Sequence, residues 1–226
     1  MVAISWHNRQ TACNTVALTK VWRSIDMNSC PYFYNFHLHT VFSDGKLTPS
    51  DVVKQALEIG IKGFAITDHH SIAGYQQAQM YLQQLKNSAP LLWTGVEITS
   101  KLKNIDVHIL GYAFDVRHSA LQPYLQGKSP QGRAAEAKNV IESIHQAGGL
   151  AILAHPFRYR LPASQLILSS SELGIDGIEA YYAYGNPQPW QPSYLQTQEA
   201  LAIAVRHQLY TTCGTDTHGL SLLKRM

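Results

Sequence analysis

The chain has 226 residues, 45% of them hydrophobic, which is enough for one sizeable core and a tight fit for two domains. A formal net charge of +3 is too mild for a protein whose main work is gripping a nucleic-acid backbone; it suits a small anion drawn into a local positive site. Cys13, Cys30 and Cys213 are odd in number and widely separated, which argues against a disulfide framework or a cysteine-based zinc site and favours a reducing compartment.

Residues 1–16, MVAISWHNRQTACNTV, lack the basic-then-apolar order of a secretory signal, and no apolar run approaches the length of a membrane span. The expectation is a soluble, cytoplasmic protein with no membrane partner. Residues 1–33 read as an extension carrying one short helix, from an Asn14 cap to about Ile25, with Val16, Ala17, Val21 and Trp22 on its apolar side.

From Tyr34 to residue 226 the pattern becomes that of one α/β domain. A short strand, Tyr34–Leu38, runs into the loop HTVFSDGKL. Thr48-Pro49-Ser50-Asp51 is a helix start, with Thr as N-cap, Pro at the first helical position and an acid at the third. Val52, Val53, Ala56 and Leu57 recur at helical spacing until Gly60 stops the helix. Strand Ile61–Thr67 then ends at Asp68-His69-His70. A helix over about Tyr75–Leu85 leads to strand Leu91–Ile98, and Ile105–Tyr112 forms the next strand. Beyond a polar loop, helix Ala134–Ala147 feeds strand Leu150–Ala154, which ends at His155-Pro156. Helix Ser164–Ser170, strand Gly177–Tyr182 and helix Tyr194–His207 follow, and Tyr210–Thr212 leads into Gly214-Thr215-Asp216-Thr217-His218. Alternating strands and helices predict a parallel sheet with its chemistry at the C-terminal strand ends.

Eleven histidines against fifteen acids is an unusual ratio, and their positions give it meaning. His37 and His39 stand two residues apart on a strand, so both imidazoles face one side. Asp44 follows after a short loop, with Gly45 permitting a tight turn. Asp68, His69 and His70 come directly after the apolar run FAI, where ionisable groups are costly to bury unless they are paired or bound to metal. Glu97 sits alone among β-formers, and a carboxylate can bridge two cations with its two oxygens. His108 interrupts an apolar strand, His155 ends one, and Asp216 and His218 repeat the two-residue spacing. Each signal is weak alone; together they aim mixed nitrogen and oxygen ligands at one place. Such a set suits zinc, manganese or iron, and it exceeds what a single ion needs.

HLHTVFSDGKLTP, AITDHH, GVEIT, VHILGY, LAHPFRY, DGIEAYY and GTDTHG, in this order, resemble the PHP (polymerase and histidinol phosphatase) superfamily, and within it the stand-alone TrpH-like phosphoesterases. The resemblance runs from about Tyr34 to Gly219. It implies a distorted (β/α)7 TIM-like barrel with a trinuclear site. His37, His39, Glu97 and Asp216 would hold one ion, and Glu97 would bridge to a second held by His108 and His155. Asp44, His69 and His218 would hold the third. Arg158, after the His-Pro motif, would contact phosphate. Two departures stand out: the family often has an acid where this chain has His70, and a helical insertion is here reduced to the loop around residues 113–133.

The activity implied is hydrolysis of phosphate esters of small metabolites, nucleotides or short oligonucleotides, with two or three divalent cations bound and two of them sharing a water that reacts as hydroxide. His70 is the candidate acid or base, or else a residue that orients a ligand, and Asp68 is expected to orient a ligand. A histidinol-phosphatase-like monoesterase would use the same chemistry on a different substrate. A non-catalytic metal-binding regulatory module is the alternative from another class.

Overall fold

A computed structural model describes residues 12–85 and 89–226; the N-terminal reading over residues 1–11 lies outside the described residues. The first helix, α1 (Thr15–Trp22), begins where Asn14 accepts a hydrogen bond from the Ala17 amide. Its buried side is Leu18, Thr19 and Trp22, whereas Val16, expected on the apolar face, is exposed. Trp22 packs edge-on against Phe36 and Tyr112, so α1 is part of the main core.

Two sheets follow. In the first, β1 (Tyr34–Asn35), β2 (Gly63–Ala65) and β3 (Leu91–Trp93) run parallel. The second holds β4 (Gly95–Leu102), β5 (Ile105–Tyr112), β6 (Leu150–Leu153), β7 (Gly177–Tyr181) and β8 (Tyr210–Cys213), in that order. The expected single strand over 91–98 is interrupted at Thr94, whose hydroxyl bonds to the Phe114 carbonyl. Helices α2 (Pro49–Ile59), α3 (Ala73–Gln84), α4 (Ala137–Gln146), α5 (Ala163–Glu172) and α6 (Tyr194–His207) fill the connections. At the start of α2 the Thr48 hydroxyl accepts from the Asp51 amide, and Gly60 closes the helix at φ 84°, as its sequence predicts. Leu57, expected on the buried face of α2, is instead exposed.

The all-parallel expectation fails at one strand. β5 runs antiparallel to both β4 and β6, while β6, β7 and β8 are parallel. The cause is the two-residue turn Lys103-Asn104, with φ of 51° and 62°. Two consecutive left-handed residues make the turn whose twist matches a hairpin, so the chain reverses instead of crossing over. The result is a mixed α/β domain whose two sheets are linked by isolated bridges. Phe36 donates to the Cys213 carbonyl at 3.0 Å and Leu38 bridges to Thr217 at one junction; His69 bridges to Glu97 at the other. Among the described residues, no helix is long and apolar enough to cross a membrane.

Candidate metal centre

His37 and His39 extend the line of β1 and are held there by backbone bonds to the segment after β8. The Asp216 amide donates to the His37 carbonyl at 2.9 Å, and the His39 amide donates to the Thr217 carbonyl at 3.1 Å. Gly214 lets this approach happen, because a Cβ there would lie 2.2 Å from the Cβ of His37.

Glu97, the third residue of β4, is buried at the centre. Its Oε2 lies 3.1 Å from His37 Nε2, 3.0 Å from His39 Nε2 and 3.6 Å from His69 Nδ1. Its Oε1 lies 2.7 Å from His108 Nδ1 and 3.3 Å from His155 Nε2. The two carboxylate oxygens thus divide the imidazoles into two groups. His108 reaches the cluster from the middle of the reversed strand, not from a strand end.

Asp216 lies opposite. Its Oδ1 stands 3.4 Å from His37 Nε2, 3.2 Å from His39 Nε2 and 3.4 Å from His218 Nδ1. Its Oδ2 accepts from the Tyr182 hydroxyl at 2.7 Å, Arg158 Nη1 at 2.9 Å and Arg225 Nε at 2.7 Å. On the outer side Asp44 approaches His218 Nε2 at 3.2 Å, His39 Nδ1 at 3.5 Å and His69 Nε2 at 3.7 Å. The loop carrying Asp44 is fastened by Asp68, which accepts from the Thr40 amide, the Thr40 hydroxyl and the Ser43 hydroxyl, each at 2.7 Å. Asp68 therefore acts on the ligand-bearing loop and not on a ligand imidazole. Gly45 is needed in that loop because a Cβ would fall 2.4 Å from the His39 carbonyl.

The other expected residues are spread around this cluster. His70, in a left-handed conformation at φ 53°, points Nε2 at the hydroxyls of Thr99 (3.2 Å) and Ser129 (3.3 Å). Its carbonyl accepts from the Gly127 amide, so it joins β4 to the 113–133 loop. Sequence reasoning missed Glu179, Tyr182 and Arg225. Glu179 accepts from His37 Nδ1 at 2.9 Å and from the His155 amide at 2.9 Å, fixing two imidazoles at once. Its signal was available: like Glu97, it is a single acid within an apolar strand.

Among the protein groups alone, burial works to push the Glu97 carboxyl up, yet His37 and His108 outweigh it and hold it well below the usual carboxylate range. The same balance lowers Asp216, against burial, through His37 and His39. Burial pulls the His39 imidazole down, but the Asp216 and Glu97 carboxylates lift it to about 9. His69, where burial dominates, falls to about 4.

Three sets of ligand atoms each lie within 4.8 Å of one another: His37, His39, Glu97 and Asp216; His39, Asp44, His69 and His218; and His69, Glu97 and His108. Glu97 joins the first and last sets, and His69 joins the last two. His155 falls outside these sets, although its Nε2 reaches Glu97. The buried atoms His39 Nε2, His108 Nδ1 and Glu97 Oε1 find no hydrogen-bond partner despite their short separations. Buried nitrogen and oxygen atoms left in this state are poorly satisfied by one another and well satisfied by divalent cations. The donor set fits such ions.

A mixed α/β domain with a buried imidazole–carboxylate cluster is the frame of a metal-centred hydrolase. The chain belongs to the PHP domain family, whose profile matches residues 35–202. It is similar to the 5'-3' exoribonuclease Rnm of Escherichia coli, at 25% identity over 82% of this chain and 85% of that protein. It is also similar to the 3',5'-nucleoside bisphosphate phosphatase of Chromobacterium violaceum, at 31% identity over 50% of this chain and 39% of that one. Among solved structures, a protein described as a metal-dependent phosphoesterase from Bifidobacterium adolescentis matches with a TM-score of 0.67, at 24% identity over 84% of this chain and 88% of that chain. A sulfate-bound amidohydrolase from Chromobacterium violaceum matches with a TM-score of 0.69, at 22% identity over 82% and 87% of the two chains. These structural likenesses concern the fold.

Proposed function

We propose that the chain is a metal-dependent phosphoesterase acting on nucleotides or short oligonucleotides. The observation that carries the chemistry is Glu97, whose two oxygens face separate groups of imidazoles within 3.6 Å. The nucleotide class is supported by likeness to the exoribonuclease and the bisphosphate phosphatase. On this reading His37, His39, Glu97 and Asp216 hold one cation, Glu97, His108 and His155 a second, and Asp44, His69 and His218 a third. Zinc, manganese or iron suits the mixed nitrogen and oxygen donors.

Bound cations would supply Lewis-acid activation of a water and of the phosphoryl oxygens. The remaining work falls to the chain. Glu179 and Asp68 hold ligands and the ligand-bearing loop in position. Arg158, whose side chain is 39% exposed, keeps N–H groups available to an incoming phosphoryl oxygen while Nη1 rests on Asp216. His70 is occupied by Thr99 and Ser129, and its burial lowers its pKa, so we assign it to positioning the 113–133 loop. Taking β3 and β4 as one strand broken at Thr94, the strands read as a seven-stranded distorted barrel, supported by the bridges at both sheet junctions.

The test is elemental analysis of the purified protein beside a panel of nucleoside 3',5'-bisphosphate, 5'-phosphorylated short RNA and histidinol phosphate. Turnover of a nucleotide substrate that requires added divalent metal is expected. Selective turnover of histidinol phosphate would move the substrate class. No turnover of any phosphate ester by the metal-replete protein would leave a metal-binding module.

A further inference from the structure

Residues 219–226 fold back beside the cluster as a strap. Gln55 on α2 accepts from the Leu222 amide at 2.9 Å and donates to the Leu220 carbonyl at 3.0 Å. Asn35 donates to the Leu222 carbonyl at 3.3 Å, and the Leu222 side chain is fully buried. The Thr217 hydroxyl donates to the Lys224 carbonyl at 2.8 Å. The amides of His218 and Gly219 both donate to the Arg225 carbonyl, at 2.6 and 3.2 Å. Arg225 is therefore clipped by its backbone to a residue of the cluster, and its Nε reaches Asp216 Oδ2 at 2.7 Å.

Asp216 needs such help. It is 1% exposed and sits at φ 53°, so its orientation is not set by solvent or by a relaxed backbone. Three donors saturate Oδ2, which leaves Oδ1 facing His37, His39 and His218. Of the two arginines, Arg225 is the more enclosed, with a side chain 19% exposed against 39% for Arg158. We propose that Arg225 is a positioning residue for the metal centre: delivered by the strap, it locks Oδ2 of Asp216 so that Oδ1 is presented to a divalent cation. This inference rests on the metal-dependent reading above.

The experiment strips the full chain with a chelator and titrates Zn²⁺ or Mn²⁺ against a competing chromophoric chelator, without substrate. Arg225→Ala is expected to weaken one ion per chain by about 10- to 100-fold, the usual effect of removing a group that orients a ligand. Arg225→Lys should recover part of the loss, and so should free guanidinium added to Arg225→Ala. Wild-type or tighter binding by Arg225→Ala would overturn the proposal, as would a loss that neither lysine nor guanidinium relieves. Should Arg225→Ala not fold by circular dichroism, Gln55→Ala loosens the strap without touching Asp216. It is expected to weaken the same ion by a smaller factor, and unchanged binding there overturns delivery by the strap. A wild-type chain that binds no divalent cation sinks the phosphoesterase reading itself, a different result from a variant that binds as the wild type does.

Discussion

His37 donates from Nδ1 to Glu179 Oε1 at 2.9 Å, which commits its other nitrogen, Nε2, to Glu97 and Asp216. The tautomer of a central imidazole is thus set by an acid on β7, outside the cluster. Glu179 uses its second oxygen to accept from the His155 amide, so both oxygens face donors. Glu179→Gln has one acceptor and one NH2, and either amide orientation sets donor against donor. Metal affinity is expected to fall by about 10- to 100-fold with the fold retained. Chelator competition with a far-UV spectrum checks this; unchanged affinity would detach Glu179 from the site.

Glu97→Ala and His155→Ala should each reduce turnover to background while leaving a folded chain. Glu97 contacts five imidazoles, and each of its oxygens serves a different group of them. Steady-state rates against metal concentration are the measurement, and full activity in either variant contradicts the proposed chemistry.

Arg158→Ala is expected to raise KM by about 10- to 100-fold, the range for losing a hydrogen bond to a charged group. Because Arg158 also touches Asp216, a smaller loss in metal affinity should accompany it. An unchanged KM would remove Arg158 from substrate binding.

A pH effect on stability is expected from a pair outside the cluster. His145 Nε2 lies 2.8 Å from Asp176 Oδ2, and that hydrogen bond raises the His145 pKa against the opposing pull of burial. A raised folded-state pKa stabilises fully below the unfolded value of about 6.5 and loses that stabilisation as pH climbs through the folded value. The pair is partly exposed, so the contribution is under about 1 kcal/mol. Urea unfolding of wild type and His145→Gln on either side of that window should show the wild-type advantage at acid pH only.

Trp22→Ala should cost about 3–5 kcal/mol, the range for deleting a large buried aromatic. Trp22 is 1% exposed and meets Phe36 and Tyr112, the latter bonded through its hydroxyl to the Phe36 carbonyl beside His37. Chemical denaturation measures it; a cost below 1 kcal/mol would make residues 12–33 a detachable appendage.

Local signals in the sequence were reliable where local physics decides. The α2 cap at Thr48 and its stop at Gly60 are short-range hydrogen bonds and backbone preferences, and they appear as written. Strand ends rich in His, Asp and Glu meet because parallel strands carry their C-terminal ends to one side, where burial is tolerable only with partners. What stayed hidden depended on distant partners. Val16 and Leu18 are equally apolar, and only the position of the core decides that Leu18 is buried. Tyr182 and Arg225 carry no local mark of their bond to Asp216. The direction of β5 was missed for a different reason: Lys-Asn is a weaker hairpin signature than Asn-Gly, although it occupies the same left-handed geometry.

That hairpin acts as a ruler. In its ladder Glu97 pairs with Leu110 and Thr99 with His108, which sets Glu97 and His108 diagonally on one face. One residue added to or removed from the Lys103-Asn104 turn would slip the pairing and swing His108 to the opposite face. Surface turns usually tolerate changes in length, but here the count of residues at an exposed bend fixes whether an imidazole arrives at the cluster at all.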